Sequence, residues 1–325
     1  MGLRAPSRHS NLHLASDYQK RKGATEVTLI RELQTAIESV AAAVGPTVVG
    51  VGSRLRGAGV VIGDGLVLTN AHNLRGGEVT ITFADGRTER GRVAGADLDG
   101  DLAVVQVGTG EAAAVAWADG AAVGVGAVVF GAAAVAGGGT RVTVGTISAV
   151  SRAFRGPGGR RIAGSLEHTA PLAPGSSGGP LLDAEGRLVG LNTNRIGEGF
   201  YLALPADDAL RTRVDALGRG ESARRRRLGI AIVPSRVARR LRRSVGLPDR
   251  EGVLVRGVDS DGPAAGADIR EGDLIVSIGG RAVTDADDLI DALAAATLPV
   301  AVELVRGTDD VLVSVAEFAS EAADD

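Results

Sequence analysis

Apolar positions along the 325-residue chain follow two different periods. Val27, Ile30, Leu33, Ile37, Val40 and Val44 recur at three- and four-residue steps, which marks one face of a helix. Gly45-Pro46 stops it. From Thr47 to Leu204 the apolar runs become short and β-branched, separated by Gly, Asp and Asn. They predict strands at Val48–Val51, Gly59–Ile62, Leu66–Thr69, Val79–Phe83, Leu102–Val107, Val125–Gly131, Val142–Val150, Leu188–Asn192 and Phe200–Leu204. Many short strands with turn signals and almost no helix suggest an antiparallel barrel or sandwich.

Helical spacing returns over Pro205–Leu217 through Leu210, Val214 and Leu217, closed by Gly218-Arg219-Gly220. A second unit follows, with a strand at Leu228–Val233 and a helix at Ser235–Val245 carrying Val237, Leu241 and Val245. Further strands are expected at Gly252–Val258, Leu274–Ile278 and Val300–Val305, with a helix at Asp285–Ala295. Residues 1–24 are polar and aperiodic and read as a disordered tail; the acidic end, 317–325, reads as frayed. The chain thus divides into a tail (1–24), a larger domain with an N-terminal helix (25–220), an Arg-rich linker (221–227), a smaller domain (228–316) and an acidic tail (317–325).

Composition narrows the chemistry. Five Phe, one Trp and two Tyr leave the core to Val, Leu, Ile and Ala. The absence of Cys excludes disulfides, thiolate metal sites and a cysteine nucleophile. A net charge of −3 gives no chain-wide basic field for nucleic acid. Locally, Arg219–Arg250 holds eleven Arg against Glu221 and Asp249, a net of +9. Few aromatics accompany these arginines, so the stacking half of single-strand recognition is missing and no nucleic acid is expected as partner. No apolar run is long enough for a signal peptide or a membrane span, so the chain reads as cytoplasmic.

Three segments carry the candidate chemistry: Leu68-Thr69-Asn70-Ala71-His72, Asp97 to Val105, and Pro174-Gly175-Ser176-Ser177-Gly178-Gly179-Pro180. Ser177 lies in a glycine-rich bend before an apolar strand, where unpaired N–H groups can converge on a developing oxyanion. A serine hydroxyl needs a base, and a histidine suits it. His9 and His13 fall in the tail, which leaves His72 and His168; His72 ends an apolar strand and begins a turn. Asp97, Asp99 and Asp101 are candidate acids, and Asp101 opens an apolar strand. The order His–Asp–Ser is one of the known orders of a serine hydrolase triad.

Thr69-Asn70-Ala71-His72, Asp101-Leu102-Ala103-Val104 and Pro174–Pro180 resemble the motifs of the HtrA (high-temperature-requirement A) family of trypsin-like serine proteases. Gly190-Leu191-Asn192-Thr193 and Gly199–Pro205 resemble the strands that line its specificity pocket. The resemblance implies a mainly β fold, a chymotrypsin-like double β-barrel followed by a small α+β PDZ domain. It implies His72 as general base, Asp101 as its orienting acid and Ser177 as nucleophile. The oxyanion hole falls on Gly175, Ser176 and Ser177, chiefly the N–H groups of Gly175 and Ser177, and substrate binding on Leu191, Asn192 and Thr193. His168 is expected to be structural. Ser176 replaces the usual Asn, and Asn73-Leu74 stands where a β-branched pair is usual.

Arg227-Leu228-Gly229-Ile230 resembles the carboxylate-binding loop of a bacterial PDZ domain, and Gly262–Ile275 its signature. Leu228, Gly229 and Ile230, with Leu289 and Leu293 of the following helix, would hold a C-terminal peptide. The implied function is a serine endopeptidase acting on unfolded or damaged proteins, with neither metal nor cofactor, assembled as a homo-oligomer, a trimer by resemblance. The competing reading is a catalytically silent PDZ-containing scaffold of the same fold. Ser151–Gly164, rich in Gly and Arg, is the candidate for a mobile element.

Overall fold

The computed structural model describes residues 28, 30–53, 55–119, 123–156, 161–197, 199–221, 225–233 and 235–321. The expected tail at 1–24 lies outside them. The chain forms two compact units that meet in sequence after Glu221.

The first unit is two closed six-stranded barrels. Strands β1 (Val48–Val51), β2 (Gly57–Gly63), β3 (Leu66–Thr69), β4 (Glu78–Thr82), β5 (Thr88–Asp97) and β6 (Leu102–Gln106) close in the order β1-β2-β3-β6-β5-β4. Strands β7 (Val128–Ala134), β8 (Thr140–Arg155), β9 (Arg161–His168), β10 (Pro180–Leu182), β11 (Leu188–Arg195) and β12 (Tyr201–Pro205) close as β10-β11-β12-β9-β8-β7. Closure leaves no unpaired edge. Val49, Val51, Val61, Val67, Ile81 and Val105 pack inside the first barrel; Val129, Ile147, Leu181 and Ala203 pack inside the second.

Strands β5 and β9 do not appear among the runs read from sequence, whereas β10 is the apolar strand expected after Ser177. The first exposes Thr88, Glu89, Arg90 and Arg92, and the second exposes Arg161, Ala163 and Gly164. The barrel supplies the pairing that their own pattern does not advertise. The segment Ser151–Gly164, expected to be mobile, is largely the ends of β8 and β9, with 157–160 outside the described residues. Helix α1 is described over residues 30–44. Only its C-terminal half packs: Val40 and Val44 are buried, whereas Ile30 and Leu33 are exposed. Helix α2 (Asp208–Gly218) starts later than predicted, because β12 runs to Pro205 and Asp207 caps the helix through Leu210 N at 2.8 Å. Its Leu210, Val214 and Leu217 are buried. Gly95 of β5 lets it approach, since a Cβ there would lie 2.6 Å from Leu217 O.

The second unit is a sheet ordered β14 (Ile230–Val233), β15 (Val253–Val258), β16 (Leu274–Ile278), β18 (Val300–Arg306) and β19 (Asp309–Val315), with β17 (Arg281–Ala282) pairing beside β16. Helices α3 (Ser235–Ser244), α4 (Pro263–Gly266) and α5 (Ala286–Ala295) accompany it. Asp285 caps α5 by accepting from Asp287 N and Asp288 N. Asp273, in the Gly-Asp signature, is buried and receives both arms of Arg306 at 2.9 Å. That pairing holds the Arg306 guanidinium above its ordinary pKa.

Two boundaries differ from expectation. The supposed linker and the supposed frayed end pair as strands β13 (Arg225–Arg227) and β20 (Ala319–Glu321). Arg226 stacks over Phe318 at 5.5 Å and donates to the carbonyls of Leu293 and Ala296 at the end of α5. No helix of the described residues is long and apolar enough to cross a membrane.

Candidate active site

His72 sits in a single helical turn, Ala71–Asn73, directly after β3. Asp101 sits in the tight turn between β5 and β6 with φ of 54°, a left-handed conformation that Asp tolerates better than most residues. Asn70 fixes this turn by donating from Nδ2 to Asp101 O at 2.9 Å. The carboxylate is 2% exposed and fully engaged. His72 Nδ1 lies 2.9 Å from both Oδ1 and Oδ2, and His72 N donates to Oδ1 at 3.2 Å. Thr193 Oγ1 donates to Oδ2 at 2.8 Å. Since a carboxylate only accepts, Nδ1 carries the imidazole proton and Nε2 keeps a lone pair for accepting one. The rival Asp97 is turned elsewhere: it accepts from Gly100 N at 2.9 Å and pairs with Arg213 at 3.3 Å.

Ser177 lies in the loop between β9 and β10. Gly175 (φ 85°) and Gly178 (φ 86°) adopt left-handed backbone, and close approach requires glycine at both. A Cβ on Gly178 would meet Ala58 O at 2.2 Å, and one on Gly175 would meet Leu55 O at 2.8 Å. The first barrel grips the loop at Ser177 O, which accepts from Ala58 N at 2.8 Å and from Asn73 Nδ2 at 2.9 Å. Asn73, a departure from the usual motif, therefore makes a direct contact with the Ser177 loop. The Ser177 hydroxyl donates to Thr193 O at 2.9 Å. One chain of bonds thus runs from Ser177 through Thr193 and Asp101 to His72.

Four of the expected site residues are buried and engaged within the protein. Ser176 N donates to Ala173 O at 3.2 Å, so it is not a spare oxyanion donor. Leu191 packs in the buried core and Asn192 is 0% exposed, so neither side chain lines an open pocket. The Thr193 hydroxyl is committed to Asp101. His168 is buried, hydrogen-bonded to Asn192 Oδ1 at 2.9 Å and stacked on Tyr201. Burial lowers its pKa to about 4 against the smaller opposing effect of the Asn192 bond. The Thr193 and Asn73 contacts were not readable in advance, because they depend on barrel register.

In the second unit, Leu228 is buried and Gly229 has φ of 72°. The strand therefore begins at Ile230, two residues later than expected. Ala264 N donates to Leu228 O and Asp259 N to Gly229 O, which fixes the loop. Leu289 and Leu293 belong to the buried core instead of an open groove. The ends of the sheet order are β14 and β19.

Residues 57–191 match the trypsin-like peptidase domain family and residues 227–316 the PDZ domain family. The chain is 32% identical over 243 residues to a probable periplasmic serine endoprotease, DegP-like, from Halomonas elongata, covering 73% of this chain and 50% of that protein. It is 34% identical over 248 residues to the putative serine protease HhoA of Synechocystis, covering 71% of this chain and 61% of that protein. The chain therefore spans about half to two thirds of the length of these curated relatives. Among solved structures, the HtrA-type protease AlgW with decapeptide superposes with a TM-score of 0.71 at 24% identity, covering 89% of this chain and 99% of that one. A serine endoprotease from Yersinia pestis gives 0.66 at 26% identity, covering 87% and 98%. With paired barrels, a PDZ unit and these relatives, the chain belongs to the HtrA family of trypsin-like serine proteases.

Proposed function

We propose that the chain is a serine endopeptidase in which His72 is the general base, Asp101 its orienting acid and Ser177 the nucleophile. The continuous run of bonds Ser177–Thr193–Asp101–His72 carries this reading. In the resting geometry the Ser177 proton points to Thr193 O, so the hydroxyl turns toward His72 Nε2 when substrate arrives. Ser177 Oγ then attacks the scissile carbonyl as its proton passes to His72, and the carbonyl oxygen gathers negative charge. The N–H groups of Gly175 and Ser177 receive that charge, and His72 returns the proton to the leaving amine. Water, deprotonated by His72, releases the acyl group.

The PDZ unit supports capture of C-terminal peptides. Edge strand β14 accepts a further strand, and the Gly229 bend suits a carboxylate-holding loop. Unfolded proteins are the proposed substrates, a trimer the proposed assembly. The Halomonas relative is named periplasmic, and an extracytoplasmic setting is proposed in place of the cytoplasmic one expected from sequence. Incubation with a fluorophosphonate probe and with unfolded casein, beside Ser177→Ala, tests the site. Labelling and cleavage should vanish in the variant; their persistence sinks the assignment, and an unlabelled parent protein favours the silent scaffold.

A further inference from the structure

Asn192 holds three consecutive residues after Ser177. It accepts from Gly178 N at 2.7 Å, donates from its own N to Gly179 O at 2.9 Å, and donates from Nδ2 to Pro180 O at 3.0 Å. Its remaining side-chain atom, Oδ1, faces His168 Nε2 at 2.9 Å. An amide oxygen only accepts, so the His168 proton sits on Nε2. The other ring nitrogen, Nδ1, is buried without a partner among the described residues. This is a poor arrangement for mere filling, since an apolar side chain would avoid desolvating Nδ1. What the ring supplies is one directed proton. If the Asn192 amide were turned over, its carbonyl would oppose Pro180 O and its NH2 would oppose the His168 N–H. Donation from Nε2 therefore selects the amide orientation that grips the loop. The ring itself is held by stacking on Tyr201, 5.7 Å away and paired with it across β9 and β12.

We propose that His168 is a positioning residue, acting through Asn192 to hold the loop that carries Ser177 and the N–H donors of Gly175 and Ser177. The proposal rests on reading Ser177 as the nucleophile. Alignment of these donors matters where charge develops, in the transition state, so loss of the His168 proton lowers kcat and leaves KM nearly unchanged.

The test uses the full-length protein and two variants, His168→Leu and His168→Gln. Glutamine can replace the Nε2–H donor; leucine cannot. Expected for His168→Leu is a loss of about tenfold or more in kcat on unfolded casein and in fluorophosphonate labelling rate, with KM within about twofold. His168→Gln should recover most of that loss. Nitrogen-15 spectra of the parent protein at neutral pH should report His168 as the Nε2–H tautomer. An Nδ1–H tautomer, a folded His168→Leu protein with unchanged kcat, or no recovery by glutamine overturns the proposal. If His168→Leu does not fold, the tautomer and the glutamine variant decide it. Labelling that survives in Ser177→Ala would instead overturn the nucleophile assignment, while the tautomer still decides whether His168 donates to Asn192.

Discussion

A carboxylate as deeply buried as Asp101 needs partners for its oxygens, and His72 and Thr193 supply them. Asp101→Asn keeps the shape and reverses the proton preference of His72 Nδ1. It should lower kcat by ~10⁴ with the melting temperature nearly intact, read by casein kinetics beside a thermal melt. His168 gives a different signature. Its folded pKa of about 4 lies below its ordinary 6.5, so between these values the unfolded chain binds more protons. Stability is then full above about pH 6.5 and falls as pH drops toward 4, by on the order of 3 kcal/mol in total. Melts at pH 7.5 and 4.5 should show a smaller acid loss in His168→Gln; an equal loss in both proteins would assign the effect elsewhere. His72, Asp101 and Ser177 were legible in sequence because each sits in a local motif. The hydroxyl of Thr193 and the amides of Asn73 and Asn192 were not, since Thr193 reaches Asp101, Asn73 reaches Ser177 and Asn192 reaches His168 and Pro180 only through strand register that sequence does not display.

At the level of elements, the site is a loop squeezed between two barrels, and glycine makes the squeeze possible. Gly178→Ala would place a methyl 2.2 Å from Ala58 O at a φ of 86°. It should abolish fluorophosphonate labelling and lower stability by about 1–3 kcal/mol for the backbone conformation alone. Labelling at the parent rate would mean that the loop is looser than described. The cap of α5 is a gentler probe: Asp285→Ala frees Asp287 N and Asp288 N and should cost ~1 kcal/mol, measured by urea unfolding of the second unit. Strong apolar runs such as β1, β3 and β6 could be read from the chain to within a residue or so. Strands β5 and β9 could not, because a strand without an apolar alternation gains its stability from closure and not from its own pattern.

For the molecule as a whole, each unit has its own apolar core, and several arginines of the +9 stretch are engaged one by one. Arg226 serves the end of α5, Arg242 is buried near the carbonyls of Pro248 and Gly307, and Arg243 and Arg250 pair with Asp249 and Asp310. Summed charge along a sequence hides such dispersal. Separate cores also make a prediction. Leu304→Ala, deep in the second unit, should cost about 2–5 kcal/mol there and weaken capture of a C-terminal peptide. Fluorophosphonate labelling of Ser177 should persist, and its loss would show that the units do not stand independently.

The pairing of Arg225–Arg227 with Ala319–Glu321 closes the second unit into a ring whose two ends are buttoned together. A chain cut after residue 317 would lose both the button and the Phe318 face on which Arg226 rests. The carbonyls at the end of α5 would then lose their anchored cation, and peptide capture at β14 would weaken although no residue of that strand had changed. Residues 319–321, which read as frayed from sequence, are better regarded as the fastening of the second unit.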